Sequence, residues 1–266
     1  MGDDVEFSIS QFRQAWRLFC FACPSHLADR NGAVEYIFSG LPIPFFNVAV
    51  VTARNVAADA LQAQARLACA WAADKGVPWM FVVTHEALVS GVDAAAALDA
   101  CGLTPAIPLT GMRAPRIAVA TRTTAGLQVD VVSDDDSCAA IFDVNAAAYG
   151  ADLEACKPTF GKGSFWDGHV AALGRVVDGT PVASAAVLMV DGCRYVALVA
   201  TTPDQQRRGY AEAVMRHALE VAEARHGRTP TVLHATDAGR PIYARMGYDT
   251  IATHTAFIER RFLEGH

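Results

Sequence analysis

The segment Leu198-Val-Ala-Thr-Thr-Pro-Asp-Gln-Gln-Arg-Arg-Gly-Tyr-Ala211 reads as a strand, a turn with two arginines and a glycine, and the start of a helix. A helix N-terminus exposes amide N–H groups without intrahelical partners and the positive end of its dipole, so such a turn is an anion site, usually for phosphate. Gly209 lets the backbone approach a ligand closely, and Arg207 and Arg208 add the charge that a diphosphate needs. Taken alone, two arginines at a helix start read more readily as surface charges. The spacing Gln206-x-x-Gly209-x-Ala211 tips the balance toward a phosphate loop.

Other candidates are weaker. Cys20-Phe-Ala-Cys23 with His26 has metal-like spacing, yet no second Cys or His pair is near in sequence. Both cysteines suit the buried face of a helix, so they read as core thiols and no metal is assigned. His234 falls in a predicted strand, either as a base acting through water or, the favoured reading, as a hydrogen-bonded core histidine. Tyr149, Phe160, Phe165 and Trp166 either line an acceptor pocket or fill the core. No residue is marked as the general base.

These residues need a scaffold, and the apolar periodicity supplies one. Phe12, Trp16, Phe19 and Cys23 recur at helical spacing before Pro24. An extended stretch, Ala33 to Thr52, is followed by a helix from Val56 to Lys75, a strand from Trp79 to Thr84, a helix from Asp93 to Cys101 and a strand from Thr104 to Met112. A turn-rich joint near Thr123 to Gly126 separates this half from the next. A strand from Leu127 to Val132 leads to a helix capped by Asp134 to Ser137 and ended by Gly150, then to a second helical piece, Leu153 to Phe160. Asp178-Gly179 and Asp191-Gly192 are tight-turn pairs that predict a three-stranded antiparallel meander from His169 to Thr201. A helix from Gln206 to His226, a strand from Thr231 to Ala235, a short helix from Arg240 to Met246 and a strand from His254 to Arg260 complete the second half.

The loop, together with Ile242-Tyr-Ala-Arg-Met-Gly-Tyr248, resembles two motifs of the GNAT superfamily, the acyl-CoA-dependent N-acyltransferases. The resemblance extends from about Leu127 to Arg260 and matches the family's element order. It implies that the backbone of Val199, Ala200 and Thr201 pairs with the pantetheine arm of acetyl-CoA, and that Gln206, Arg207, Arg208, Gly209, Tyr210 and Ala211 hold the diphosphate. It further implies that Tyr243 serves the departing sulfur as a proton donor. Asp237 stands where many members have an Asn near the coenzyme, a departure from the pattern.

The two halves repeat weakly. A shift of about 152 aligns Leu67 with Leu219 and Pro78 with Pro230, while the strand before the loop needs 148, so four residues are missing from the first half where the phosphate loop should lie. Leu98 there replaces Tyr243. The fold class expected is α/β (α+β), two GNAT-like lobes each with a mixed, mostly antiparallel sheet flanked by helices. Residues 1–124 form a degenerate lobe and residues 125–266 the N-acetyltransferase domain.

The length of 266 residues suits one large domain or two modest ones, and 52% hydrophobic with 19% charged residues is a globular composition. A net charge of −6 argues against a nucleic-acid binder. The uncharged run from Tyr36 to Ala53 contains Gly40, Pro42, Pro44 and Asn47, so it reads as buried strands rather than a membrane span. The first residues have no secretory character, Glu6 spoils a myristoylation signal, and seven scattered cysteines suit a reducing cytoplasm. The expected function is acetyl transfer from acetyl-CoA to a small-molecule primary amine, with protein amines as a second acceptor class. The alternative is a non-catalytic acyl-CoA sensor or scaffold. Oligomeric state is left open.

Overall fold

The computed structural model describes residues 2–120 and 124–263. Two compact units emerge, one from residues 1–112, 234–241 and 250–266, the other from residues 113–233 and 242–249. The chain boundary thus lies at Met112 and Arg113, and a single cut between residues 124 and 125 does not separate the units, because the chain's end returns to the first. Of the expected joint, Thr123 lies outside the described residues.

In the first unit α1 (Gly2–Ala22) turns Val5, Ile9, Phe12, Trp16 and Phe19 inward at helical spacing. β1 (Leu27–Asn31) and β2 (Val34–Phe38) form an antiparallel hairpin, and β3 (Asn47–Val51) pairs antiparallel with β2. Tyr36–Phe38 of β2 and all of β3 belong to the uncharged run, and both strands are buried along their length. α2 (Ala58–Ala72) crosses to β4 (Met80–Thr84), which lies parallel to β3. α3 (Ala94–Asp99) opens on Asp93, whose carboxylate accepts from the amides of Ala95 and Ala96, and β5 (Leu103–Ala114) follows.

The second unit begins with β6 (Gln128–Val132) and α4 (Asp135–Tyr149). Asp134 caps α4 by accepting from the Ser137 amide at 2.8 Å, and Gly150, at φ 62°, ends it. A short 3-10 turn and α5 (Lys157–Phe160) lead to the meander of β7 (Val170–Arg175), β8 (Pro181–Val190) and β9 (Cys193–Thr201), joined by the two Asp-Gly turns. α6 (Tyr210–His226) packs on β7 and β8. At Gly174 of β7 a Cβ would come within 2.8 Å of Val214 Cγ2, so glycine sets how closely that helix approaches the sheet. β10 (Thr231–Ala235) and α7 (Arg240–Arg245) follow, and β11 (Asp249–Glu259) is last.

Strand order is β1-β2-β3-β4-β11-β5 in the first unit and β10-β9-β8-β7-β6 in the second. β11 therefore does not complete the second half as the sequence order suggests. It pairs antiparallel with β4, His254 facing Thr84 and Ile258 facing Met80. β4 is buried along its whole length with β3 on one side only, so its other edge requires a second partner to satisfy its amides and carbonyls. β11 meets that need and adds Phe257 to the core around Tyr36, Phe38, Trp79 and Phe81.

Candidate functional site

The second unit's site is built where β9 and β10 part. The two strands lie parallel, but only Arg194 and Tyr195 pair with Thr231 and Val232. Arg194, fully buried, pins this end: its guanidinium donates to the carbonyls of Leu219 and Thr229 and meets Glu223 at 3.0 Å. Beyond Tyr195 the ladder stops, while β9 continues to Thr201. Val196 to Thr201 thus present an edge with no β10 register.

That edge carries a bulge. On β8 one residue, Ala185, lies between Ser184 and Ala186, while on β9 two, Leu198 and Val199, lie between their partners Ala200 and Ala197. Leu198 sits at φ 52°, a left-handed conformation that costs a non-glycine residue about 1 to 2 kcal/mol. A buried polar pair holds it there: Ser184 Oγ donates to the Leu198 carbonyl at 2.8 Å, and Asn145 Nδ2 of α4 donates to Ser184 Oγ at 3.0 Å. The next carbonyl, Val199, accepts from the Tyr149 hydroxyl at 3.1 Å. Motif reading missed Asn145, Ser184 and Leu198. Their visible signal is an Asn and a Ser at buried positions of otherwise apolar elements.

At the end of β9 the chain makes a 3-10 turn, Pro203–Gln205, and reaches the arginines. The helix predicted from Gln206 begins only at Tyr210, so Gln206, Arg207, Arg208 and Gly209 form a loop. Gln206 reaches back to the Thr201 carbonyl at 3.4 Å. Arg207, at φ 64°, and Gly209, at φ 84° and ψ 7°, both adopt left-handed conformations, and such turns orient backbone N–H groups into an anion-binding hollow. Gly209 is the N-cap of α6 and gives it no side-chain cap, so the first-turn amides of Tyr210, Ala211 and Glu212 depend on another acceptor. Both arginine side chains are exposed. The one acidic group of that turn, Glu212, is held by Arg216 at 2.8 Å.

α7 supplies the phenol. Gly247, at φ 94°, closes the helix: the Gly247 amide donates to Ala244 and the Tyr248 amide to Tyr243. A Cβ at Gly247 would lie 3.4 Å from the Ala118 nitrogen and the Arg116 carbonyl, and the left-handed conformation disfavours any other residue. Tyr248 is buried and shares a hydrogen bond with Thr231 at 2.7 Å. Tyr243 packs edge-on against it at 6.0 Å, and its hydroxyl has no hydrogen-bond partner among the described residues. Burial pushes the Tyr243 phenol well above the usual tyrosine value, and the nearby Tyr149 phenol pushes the same way.

The remaining candidates fall elsewhere. Asp237 is exposed in the turn between β10 and α7 and groups with the first unit. So does His234, whose Nε2 lies 3.1 Å from Ser8 Oγ. The same hydroxyl is 3.0 Å from His254 Nε2, and Thr84 lies 2.8 Å from the other nitrogen of that ring, a core polar network. Cys20 and Cys23 donate to the carbonyls of Phe38 and Phe19, His26 donates to that of Cys23, and burial raises the Cys20 thiol to about 12. Among the described residues no group of three or more metal-ligating side chains converges. Phe165 meets Phe160 at a tilt and Trp166 edge-on, and Trp166 donates to the Phe160 carbonyl, while Tyr149, at the end of α4, instead reaches β9 with its hydroxyl.

Residues 192–251, from β9 through the loop, α6, β10 and α7, match the model of the GNAT acetyltransferase domain. The matched stretch lies mostly in the second unit, with residues 234–241 and 250–251 grouping with the first. Among solved structures, a GCN5-related N-acetyltransferase from Kribbella flavida is 22% identical with a TM-score of 0.69, covering 96% of this chain and 95% of its own. One from Sphaerobacter thermophilus is 14% identical with a TM-score of 0.60 over 85% and 76% of the two chains. A tandem GNAT protein from the clavulanic acid biosynthesis pathway is 12% identical with a TM-score of 0.55 over 93% and 94%. At these identities the likeness is one of fold. No curated protein matches the sequence significantly. Among the described residues no helix is long and apolar enough to cross a membrane.

Proposed function

We propose that this protein is an N-acetyltransferase that moves the acetyl group of acetyl-CoA to a primary amine of a small molecule. The observation that carries the proposal is a coincidence at one strand end: an unpaired β9 edge runs directly into an uncapped helix N-terminus flanked by two exposed arginines. An elongated ligand with amides along its arm and a diphosphate at its end fits both features. Acetyl-CoA supplies the activated thioester.

In this reading the edge of Val199, Ala200 and Thr201 hydrogen-bonds the pantetheine arm as an added strand would. A carbonyl has two lone pairs, so Val199 can serve the arm while still accepting from Tyr149. Amides of Gly209, Tyr210 and Ala211, with the side chains of Gln206, Arg207 and Arg208, hold the diphosphate. Asp237 is proposed as a further coenzyme contact. As the neutral amine's nitrogen bonds to the thioester carbon, the carbon–sulfur bond breaks and the sulfur leaves with its electron pair. The proton that the nitrogen sheds passes to solvent, which restores the Tyr243 phenol after it has protonated the sulfur. Tyr243 hydrogen-bonds that sulfur and is its proton donor. Because its pKa lies above the usual value, the phenol stays protonated at neutral pH, and hydrogen bonding to the sulfur precedes full transfer. The first unit, with Leu98 buried where Tyr243 stands in the second, is proposed as a degenerate copy that retains the fold without this chemistry.

Free-thiol release from acetyl-CoA across a panel of small amines and lysine peptides tests the proposal. Amine-dependent release supports it and names the acceptor class. Tight coenzyme binding without release for any acceptor would leave a non-catalytic acyl-CoA sensor as the better reading.

A further inference from the structure

We infer that the first unit holds a second anion site, unrelated to the acyl-transfer reading, that takes a small molecule by a phosphate or carboxylate group. It lies between α1 and the β1–β2 hairpin, in a cavity of about 310 Å³ lined by Arg13, Arg17, Ala28, Asp29, Arg30 and Glu35. That volume is at the lower end of small-ligand sites.

The arrangement begins with Glu35, a carboxylate only 3% exposed on β2. A buried carboxylate requires a cation, and Arg13, one helical turn before Arg17, provides it through Nε and Nη2, both on Oε2. Arg17 Nε then approaches Oε1 at 2.8 Å. Arg30 is the register partner of Glu35 across the hairpin, so its side chain leaves the sheet on the same face. Two guanidinium groups thus hold the carboxylate, and Arg30 completes the lining beside them. Asp29, the other acid of the lining, accepts from Trp71 Nε1 and from the Arg30 amide. With both acids counted, the lining retains one positive charge.

The donor count exceeds what the protein uses. Arg30 spends Nε and Nη2 on the carbonyl of Gly32 and the hydroxyl of Thr52 at 3.3 and 3.5 Å, long contacts. Among the described residues, both terminal nitrogens of Arg17 and Nη1 of Arg13 and of Arg30 have no protein acceptor. Glu35 acts as the orienting group: it fixes Arg13 and Arg17 so that their remaining forks need not be ordered when an oxyanion arrives. Guanidinium forks match both phosphate and carboxylate, so the shared chemistry is that of a small oxyanion.

Titration calorimetry with inorganic phosphate and, separately, malonate tests this at constant ionic strength. The full-length chain carries Arg207→Ala and Arg208→Ala, so that the other anion loop contributes little. Expected is saturable binding of at least one probe at one site per chain, weakened at least fivefold by Arg17→Gln and by Arg30→Gln. Tighter phosphate binding points to a phosphomonoester, tighter malonate to a carboxylic acid. Arg30 is exposed, so its replacement keeps the test sound if Arg17→Gln disturbs folding, which circular dichroism reads. Absence of saturable binding, affinity unchanged in Arg30→Gln, or an equal response to chloride overturns the inference.

Discussion

Tyr243→Phe separates the proposed proton donor from everything else that residue does. The ring remains edge-on to Tyr248 at 6.0 Å, and because the hydroxyl has no partner among the described residues, its removal leaves no buried group unsatisfied. Stability should therefore change by less than about 1 kcal/mol, and coenzyme affinity should be retained. The chemical step should slow by on the order of a hundredfold to ten-thousandfold, the span of a positioned acid, or about 3 to 5 kcal/mol of barrier. Single-turnover thiol release is the proper assay, since product release can hide a chemical defect in steady-state turnover. The raised pKa has a sign: the acid form persists to higher pH, so no alkaline decline due to Tyr243 should appear below about pH 10, the ordinary tyrosine value. A Phe variant with the parent's single-turnover rate would refute the assignment and give leaving-group protonation to water or another side chain, with the coenzyme site left intact.

Replacing Arg207 and Arg208 together by Ala should weaken coenzyme binding at least tenfold, as each charge-assisted contact contributes about 1.5 to 3 kcal/mol; unchanged affinity would leave the backbone amides as the sole anchor. Calorimetry with acetyl-CoA should give one site per chain, and two equivalent sites would contradict a degenerate first unit. His254, held down to about 4 mainly by burial, binds its proton in the unfolded chain near 6.5. Stability should then fall as pH drops from 6.5 toward 4, by up to about 3 kcal/mol from this residue, and should gain nothing from it above 6.5. Denaturant melts across that range should show the slope reduced by up to one proton in His254→Gln, with His234, shifted the same way, carrying the remainder.

Local signals were the legible ones. Asp134, Gly150 and the Asp-Gly turns act through their own backbone, so the ends of α4 and the meander follow from sequence. The arginine loop and Tyr-x-x-x-Gly-Tyr were readable for the same reason, since Gly209 and Gly247 each supply a left-handed residue that the local chain requires. Partner choice between strands was not local. β11 has the alternating pattern of a half-buried strand, but nothing within it says that β4 is its partner. The β9 bulge was equally hidden, because Leu198 takes its conformation from Ser184 and Asn145, 14 and 53 residues away. Tyr149 was grouped with aromatic neighbours in sequence, yet the geometry of α4 brings its hydroxyl to β9.

The two units make different use of the same strand, loop and helix, and the difference is one of backbone chemistry. β3 and α2 are joined by six residues, 52–57, and β9 and α6 by eight, 202–209, a smaller shortening than the four residues inferred from alignment. Asn55 keeps a left-handed φ of 55°, as Arg207 does at 64°, so the bend survives in both. The N-cap does not. Ala57 is extended at φ −77° and ψ 162°, where Gly209 is left-handed, so the paired turns that gather amides are lost. Val56 next to it is committed, its amide to the Ala87 carbonyl and its own carbonyl to the Val89 amide. Asp59 also places a carboxylate in the first turn of α2 with no ion pair of its own among the described residues, whereas Glu212 is held by Arg216. An anion would meet tied backbone and a negative charge in the first unit, and open amides with two exposed arginines in the second, which is the contrast that the proposed single diphosphate site requires.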